Sequence, residues 1–187
     1  MRIISGDLKN RRIYFEGIKN TRPLKDRVRE SIFNILIHSH KISFIFSKNC
    51  SVLDLYSGTG SFGLECLSRN VREVYFVEKD INALSCLKKN IENYKFQEKS
   101  RTFKVDVSKY LEANIKKKFD LVFLDPPFAD KFFLKIIPII KKKKNLKKNH
   151  LIVLHREVNS KEKLEKYFNI ILKKTYGRSQ IFFGRLF

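Results

Sequence analysis

An α/β fold built on a doubly wound, mostly parallel sheet is what the sequence predicts, and three observations predict it. From residue 51 onward, short apolar runs rich in β-branched and aromatic residues alternate with stretches of helical period. A glycine-rich loop joins the first of these strands to the helix that follows. Two last apolar runs flank Gly177-Arg178, a turn that closes the chain as a hairpin and adds one antiparallel strand.

The elements follow in order. Residues 2–5 and 11–15 read as the arms of an N-terminal hairpin turning at residues 6–10. Pro23 opens a helix whose Val28, Ile32, Phe33 and Leu36 share one face. Residues 51–56 form the first sheet strand, and a helix starts near Gly60. Residues 73–78 are the second strand, followed by a helix carrying Ile81, Leu84, Leu87 and Ile91. Residues 101–105 and 119–124 are the third and fourth strands, a helix covers 131–144, and 151–155 is the fifth strand. Residues 170–176 and 180–186 are the closing hairpin. The first and fourth strands are expected side by side at the topological switch point, where open parallel sheets bind ligands.

The chain has 187 residues with 40 Lys+Arg against 19 Asp+Glu, a net charge of +21. That length suits one domain with a small appendage. The partition expected is 1–40, a hairpin-and-helix extension, and 41–187, the body. Hydrophobic residues make up 43%, with 17 Phe and 7 Tyr, so the charge does not mean disorder. It points to a polyanion, either nucleic acid or an acidic membrane face. The membrane reading is weak, because the longest apolar runs (42–46 and 136–140) are far short of a span and residues 1–7 hold no signal region. Cys50, Cys66 and Cys86 are odd in number and lack Cys-x-x-Cys spacing. They read as buried thiols in a reducing cytoplasm, with neither a disulfide set nor a metal site. His38, His40, His150 and His155 show no metal-ligand context and receive no catalytic role.

The charge is uneven. Residues 1–50 carry +7, 51–100 zero, 101–150 +9 and 151–187 +5. The neutral block is where the chemical motifs begin. There Gly58, Gly60 and Gly63 spell the dinucleotide fingerprint between a strand and a helix, and Glu78 ends the next strand, where an acid takes ribose hydroxyls. A nicotinamide oxidoreductase therefore has to be weighed. Asp54, four residues before the first glycine, would repel a pyrophosphate but suit a cofactor bearing an ammonium and a sulfonium. S-adenosylmethionine fits that description. Asp54, Tyr56, Ser57, Gly58, Thr59 and Gly60, with Glu78 and Lys79 at the second strand, are its candidate contacts. Asp106, at the end of the third strand, is either an acceptor for the adenine amine or a solvated carboxylate.

Asp125-Pro126-Pro127-Phe128 follows the fourth strand, where open parallel sheets bind ligands. An exocyclic base amine is a poor nucleophile because its lone pair is delocalised. Asp125 can accept one amine N–H and the Pro126 carbonyl the other, which favours a pyramidal nitrogen. Pro127 fixes the backbone and offers no competing N–H. Phe128 supplies a stacking face worth about 1–3 kcal/mol per base.

These motifs resemble the bacterial 16S ribosomal RNA guanine-N2 methyltransferases of the RsmD type over nearly the whole chain. The most distinctive stretch is Arg22-Pro23-Leu24-Lys25-Asp26-Arg27-Val28-Arg29-Glu30-Ser31-Ile32-Phe33-Asn34. The N-terminal hairpin, residues 54–65, residues 125–128 and Tyr176-Gly177 are also similar to the family. The resemblance implies a Rossmann-like class I S-adenosylmethionine-dependent methyltransferase fold with seven strands. It further implies methyl transfer to N2 of one guanine in 16S rRNA of the small ribosomal subunit or its assembly intermediate, by a monomer. Two departures stand out: Asn10 where the family often has Gly, and Leu24-Lys25 in place of small hydroxyl residues. The runner-up is adenine N6 of DNA, or a guanine of another RNA. A basic RNA-binding module with a vestigial loop is a further alternative.

Six of the 12 arginines fall in residues 1–29. Arginine binds phosphate bidentately and stacks on bases. Arg2, Arg11, Arg12, Arg27 and Arg29 are read as an RNA clamp, Arg22 as serving the cofactor side, and Arg178 as a phosphate contact at the closing turn. Ion pairs of Arg29 with Asp26 or Glu30 compete with that reading. The lysines at 141–144, 147 and 148 read as the solvated end of a helix, where cations suit the dipole.

Overall fold

The computed structural model describes residues 1–16, 24–42, 46–113, 116–130, 132–160 and 162–186. Arg22 and Pro23 lie outside the described residues. The elements are α1 (Asp26–His38), β1 (Ser51–Leu55), α2 (Ser61–Ser68), β2 (Glu73–Glu78), α3 (Ile81–Asn93), β3 (Ser100–Lys104), α4 (Val107–Glu112), β4 (Phe119–Leu124), α5 (Phe133–Lys143), β5 (Leu146–Glu157), β6 (Asn169–Tyr176) and β7 (Ser179–Arg185).

The seven strands form one sheet in the order β3-β2-β1-β4-β5-β7-β6. β1 lies between β2 and β4, parallel to both, as expected of the first and fourth strands. β7 runs antiparallel to β5 and β6. The sheet is thus the class I Rossmann-like arrangement, seven-stranded and mixed.

Period-two alternation sorts the side chains between two cores. Val52, Leu121, Phe123, Leu151 and Val153 pack with α1, α2 and α3. Leu53, Leu55, Val122, Leu124, Ile152 and Leu154 pack with α4 and α5 on the other face. Stacked rings tie the first core together: Phe33 of α1 lies 5.1 Å from Phe62 of α2, which lies 3.9 Å from Phe123 of β4.

The N-terminal hairpin pairs Arg2 with Arg12. Its ladder includes Ile3 N–H to Arg11 O at 2.9 Å and Ile13 N–H to Met1 O at 3.1 Å. Asn10 closes the turn at φ +69°, a left-handed conformation that asparagine tolerates in place of glycine. Ile3 and Ile13 are buried in the α1–α2 core, so hairpin and body share one hydrophobic interior. Glu65 of α2 fixes this union. Its carboxylate accepts the backbone N–H of Ile4 at 2.7 Å and of Ser5 at 2.9 Å. It also faces the guanidinium groups of Arg29 at 3.8 Å and Arg69 at 2.9 Å.

Two elements differ from expectation. Residues 107–112 form α4, only six residues long, with Val107, Tyr110 and Leu111 as its apolar contacts. So short a stretch carries no sustained helical period. β5 begins at Leu146, five residues early, so Lys147 and Lys148 belong to a strand, and Lys147 pairs with Asp120 at 2.8 Å. Lys141, Lys142 and Lys143 do occupy the last turn of α5.

Candidate active site

The carboxyl ends of the strands surround a cavity of about 480 Å³. Tyr56, Ser57, Gly58 and Thr59 enter it from the loop after β1, and Glu78, Lys79 and Asp80 from the end of β2. Asp106 enters after β3, and Asp125, Pro126, Pro127 and Phe128 after β4. The turn between β6 and β7 brings Arg178, while Phe15, Leu24 and Lys25 come from the N-terminal region. Of the three positions that depart from the resembled family, Leu24 and Lys25 line the cavity and Asn10 does not.

The loop after β1 is sharply bent. Tyr56, Gly58 and Gly60 have φ of +62°, +54° and +82°. Tyrosine is rarely found at positive φ, so the surrounding structure holds it there. Gly60 itself lies behind the lining. A Cβ on it would come within 2.3 Å of Leu87 Cδ1, so glycine is what lets the loop close onto α3. A Cβ on Gly58 would meet nothing within 4 Å, which leaves that backbone open to a ligand.

Glu78 is held by two backbone donors, Gly58 N–H to Oε2 and Asp80 N–H to Oε1, both at 2.8 Å. A carboxylate has about four acceptor sites, so a fixed Glu78 can still accept two hydroxyls. Asp106 caps α4. Its Oδ1 accepts the Ser108 N–H at 2.9 Å and the Ser108 hydroxyl at 2.7 Å. These bonds, with Lys79 and Lys109 nearby, hold its carboxyl below the ordinary value despite some burial. Asp80 likewise caps α3, accepting from Asn82 and Ala83.

Asp54 corrects the sequence reading. Strand alternation turns it onto the Val52 face, where it is 1% exposed and accepts Gly63 N–H at 3.0 Å. It does not line the cavity. Burial pushes its carboxyl well above the ordinary range, with Asp125 and Glu78 adding to the shift and the Gly63 bond opposing it. From behind the cavity wall it braces the start of α2. The negative wall of the cavity is supplied instead by Glu78, Asp80, Asp106 and Asp125.

Arg29 is a second correction. It is fully buried, donates to the Arg2 carbonyl, and pairs with Asp26 at 3.0 Å. Desolvation lowers its pKa, opposed by Asp26 and Glu65. It locks α1 to the hairpin and is withdrawn from any surface. Arg2, Arg11, Arg12 and Arg27 are exposed. Arg178 is exposed at the cavity mouth and pairs with Glu157 at 2.5 Å.

His155, given no role from the sequence, stands inside the site. Its Nδ1 lies 2.8 Å from Asp125 Oδ1, and its ring meets Phe128 edge-on at 5.3 Å. The next residue, Arg156, is 1% exposed and donates to the carbonyls of Pro127 at 3.1 Å and Phe128 at 2.9 Å. It also pairs with Glu162 at 2.6 Å and lies over the Phe133 ring at 4.2 Å. Arg156 therefore pins the loop after β4 and leaves the Pro126 carbonyl untouched. Only the strand register brings them here. In the parallel β4–β5 register Leu124 faces Leu154, which puts the next residues, Asp125 and His155, side by side.

Among the described residues no group of three or more His, Cys, Asp or Glu could hold a metal, and no helix is long and apolar enough to cross a membrane. The three cysteines are free and buried.

Comparison with known proteins extends this picture. The model of a family described as conserved hypothetical protein 95 matches residues 1–185. The chain is 31% identical to the ribosomal RNA small subunit methyltransferase D of Haemophilus influenzae, over 95% of this chain and 89% of that protein. It is 32% identical to a putative rRNA methyltransferase, YlbH, of Bacillus subtilis, over 95% and 94%. A solved structure described as the putative methyltransferase yhhF from Escherichia coli superposes with a TM-score of 0.84 at 25% identity, covering 100% of this chain and 97% of that one.

Proposed function

The chain belongs to the conserved hypothetical protein 95 family and to that of the ribosomal RNA small subunit methyltransferases D, and from that premise we propose that it is an S-adenosylmethionine-dependent methyltransferase acting on the exocyclic N2 of a guanine in 16S rRNA. One observation carries the reading. The glycine loop and Glu78 meet the Asp125-Pro126-Pro127-Phe128 turn across a single cavity.

When bound, S-adenosylmethionine supplies a methyl group made electrophilic by its sulfonium. The acidic wall suits that cation, and the open face at Gly58 suits close backbone approach. Glu78 would hold the ribose hydroxyls, the backbone at Tyr56, Ser57, Gly58 and Thr59 the methionine portion, and Lys79 with Asp106 the adenine side. Asp125 accepts one amine N–H and the Pro126 carbonyl the other. Both groups aim the nitrogen lone pair and supply the positioning that transfer requires. The amine's proton is taken at Asp125 Oδ2, since Oδ1 is engaged by His155. Phe128 stacks the extruded base.

In this reading residues 1–40 form the RNA clamp, through Arg2, Arg11, Arg12 and Arg27, and complete the cavity with Phe15, Leu24 and Lys25. Arg178 contacts phosphate at the mouth. The protein works as a cytoplasmic monomer on the small subunit or its assembly intermediate, without metal or membrane.

The test is incubation of the protein and methyl-labelled cofactor with unmodified small-subunit particles, naked 16S rRNA and duplex DNA. Label on guanine N2 of the RNA is the expected result. Label confined to DNA would replace this reading with adenine N6 chemistry.

A further inference from the structure

We propose that His155 is a positioning residue for this methyl transfer: it anchors one oxygen of Asp125 and so aims the other at the target amine. The inference rests on the function proposed above and goes beyond it by assigning a residue outside the Asp-Pro-Pro-Phe turn.

Three observations carry it. The first is the contact itself. His155 Nδ1 and Asp125 Oδ1 are 2.8 Å apart, joining the ends of neighbouring parallel strands. A carboxylate only accepts, so Nδ1 carries the hydrogen and donates. The second is the seclusion of the ring. The His155 side chain is 9% exposed, while that of Asp125 is 23% exposed. Its Nε2 is buried without a hydrogen-bond partner among the described residues. Burial withdraws Nε2 from the cavity, and the ring's one hydrogen bond is spent on Asp125. The third is the clamp around the ring. Phe128 packs edge-on against it at an interplanar angle of 75°, and Arg156 fixes the Pro127 and Phe128 carbonyls.

The consequence follows from side-chain geometry. The carboxylate torsion of aspartate is broad and nearly two-fold, so an unanchored Asp125 would sample many orientations. With Oδ1 held, the carboxylate plane and so the direction of Oδ2 are fixed as well. Adjacent residues of β5 therefore divide the work: His155 orients the side chain of the catalytic turn and Arg156 orients its backbone.

The experiment compares the full-length wild-type chain with His155→Phe and His155→Asn, reading kcat and KM for transfer to small-subunit RNA and the cofactor Kd. His155→Phe keeps the ring's bulk and loses the donor. It should lower kcat about 10- to 100-fold, the scale at which misplaced groups act, with KM and cofactor Kd nearly unchanged. His155→Asn places an amide N–H near the position of Nδ1 and should recover most of the lost kcat. In the 15N NMR spectrum, Asp125→Ala should shift the His155 Nδ1 signal. Wild-type kcat in His155→Phe, equal losses in both variants, or an Nδ1 signal indifferent to Asp125 would each overturn the inference while leaving the proposed function standing. A wild-type chain that transfers no methyl group to any nucleic acid would overturn the proposed function and this inference with it.

Discussion

Asp54 stands on β1 and Asp125 just past the end of its neighbour β4, one buried and one lining the cavity, and that difference decides what each can do. Asp125 reaches the cavity with one oxygen committed to His155. Asp125→Ala should therefore lower methyl transfer by about 100-fold or more, in the range that positioned proton acceptors contribute. Cofactor affinity, measured by titration calorimetry, should stay within a few-fold, because Glu78 and the glycine loop are untouched. Near-normal transfer would remove Asp125 from the reaction. Asp54 acts on stability instead. Burial raises its carboxyl well above the ordinary value of 3.8, so the folded chain favours its protonated form while the unfolded chain ionises near that value. Between the two pKa values the folded state holds one more proton. Stability attributable to Asp54 is therefore present in full below the unfolded value and is lost as pH rises toward the folded one, by up to about 1.4 kcal/mol per pH unit. Asp54→Asn removes this titration. Its unfolding free energy in urea should decline less steeply above pH 4 than that of the wild type. Parallel profiles would mean that Asp54 does not titrate between the two states.

At the scale of elements, α2 is the joint between the N-terminal hairpin, α1 and the sheet, and Glu65 is its centre. Glu65→Ala leaves Arg29 buried with less compensation and strips two backbone donors, Ile4 and Ser5, of their acceptor. Removing one partner of a buried pair costs about 3–5 kcal/mol. Urea unfolding should register a loss of that size, and amide exchange at Ile4 and Ser5 should quicken more than in α3. None of this was legible in the sequence, because 61 and 60 residues separate the partners and no local pattern links them. The long elements were legible. The strand at Phe119–Leu124 and the helix through Ile81, Leu84, Leu87 and Ile91 have strong periods and clear breakers. The Asp125-Pro126-Pro127-Phe128 turn was legible as well, because a rigid backbone and an acid at a strand end carry their meaning locally. His155 and Arg156 were not. They finish an apolar strand, and only the strand order and register reveal that they meet a turn some 30 residues away. Asp54 misled for a related reason: its spacing from the glycines suggested a ligand, and strand parity turned it the other way.

For the whole molecule, the net charge of +21 has to be divided before it predicts anything. The quarter from 51 to 100 is neutral and supplies much of the cavity wall. Arg11 and Arg12 are exposed on the hairpin, which Glu65 ties to the body. The lysines of α5 lie elsewhere. That helix starts just past the Asp125–Phe128 turn and ends before Leu146, which pairs with Phe119 at the start of β4, so its last turn sits at the sheet edge opposite the cavity. Part of that basic run is already engaged: Lys143 donates to the Glu112 carbonyl at 2.5 Å and Lys147 pairs with Asp120. Total charge is the same whichever pair of cations is reversed, so placement alone separates two variants. Replacing Arg11 and Arg12 by Glu should weaken RNA binding. If the two arginines each meet one phosphate of a single strand, the slope of log affinity against log salt should flatten by about 1.4, at about 0.7 per phosphate. Replacing Lys142 and Lys143 by Glu changes net charge equally but should leave that slope nearly unaltered, because screening across the molecule reduces their pull to about a Debye length of 8 Å at physiological salt. Filter binding over a salt series measures both. Equal slopes in the two variants would overturn the placement of the clamp on the hairpin, and flattening confined to the lysine variant would move the RNA to the α5 face.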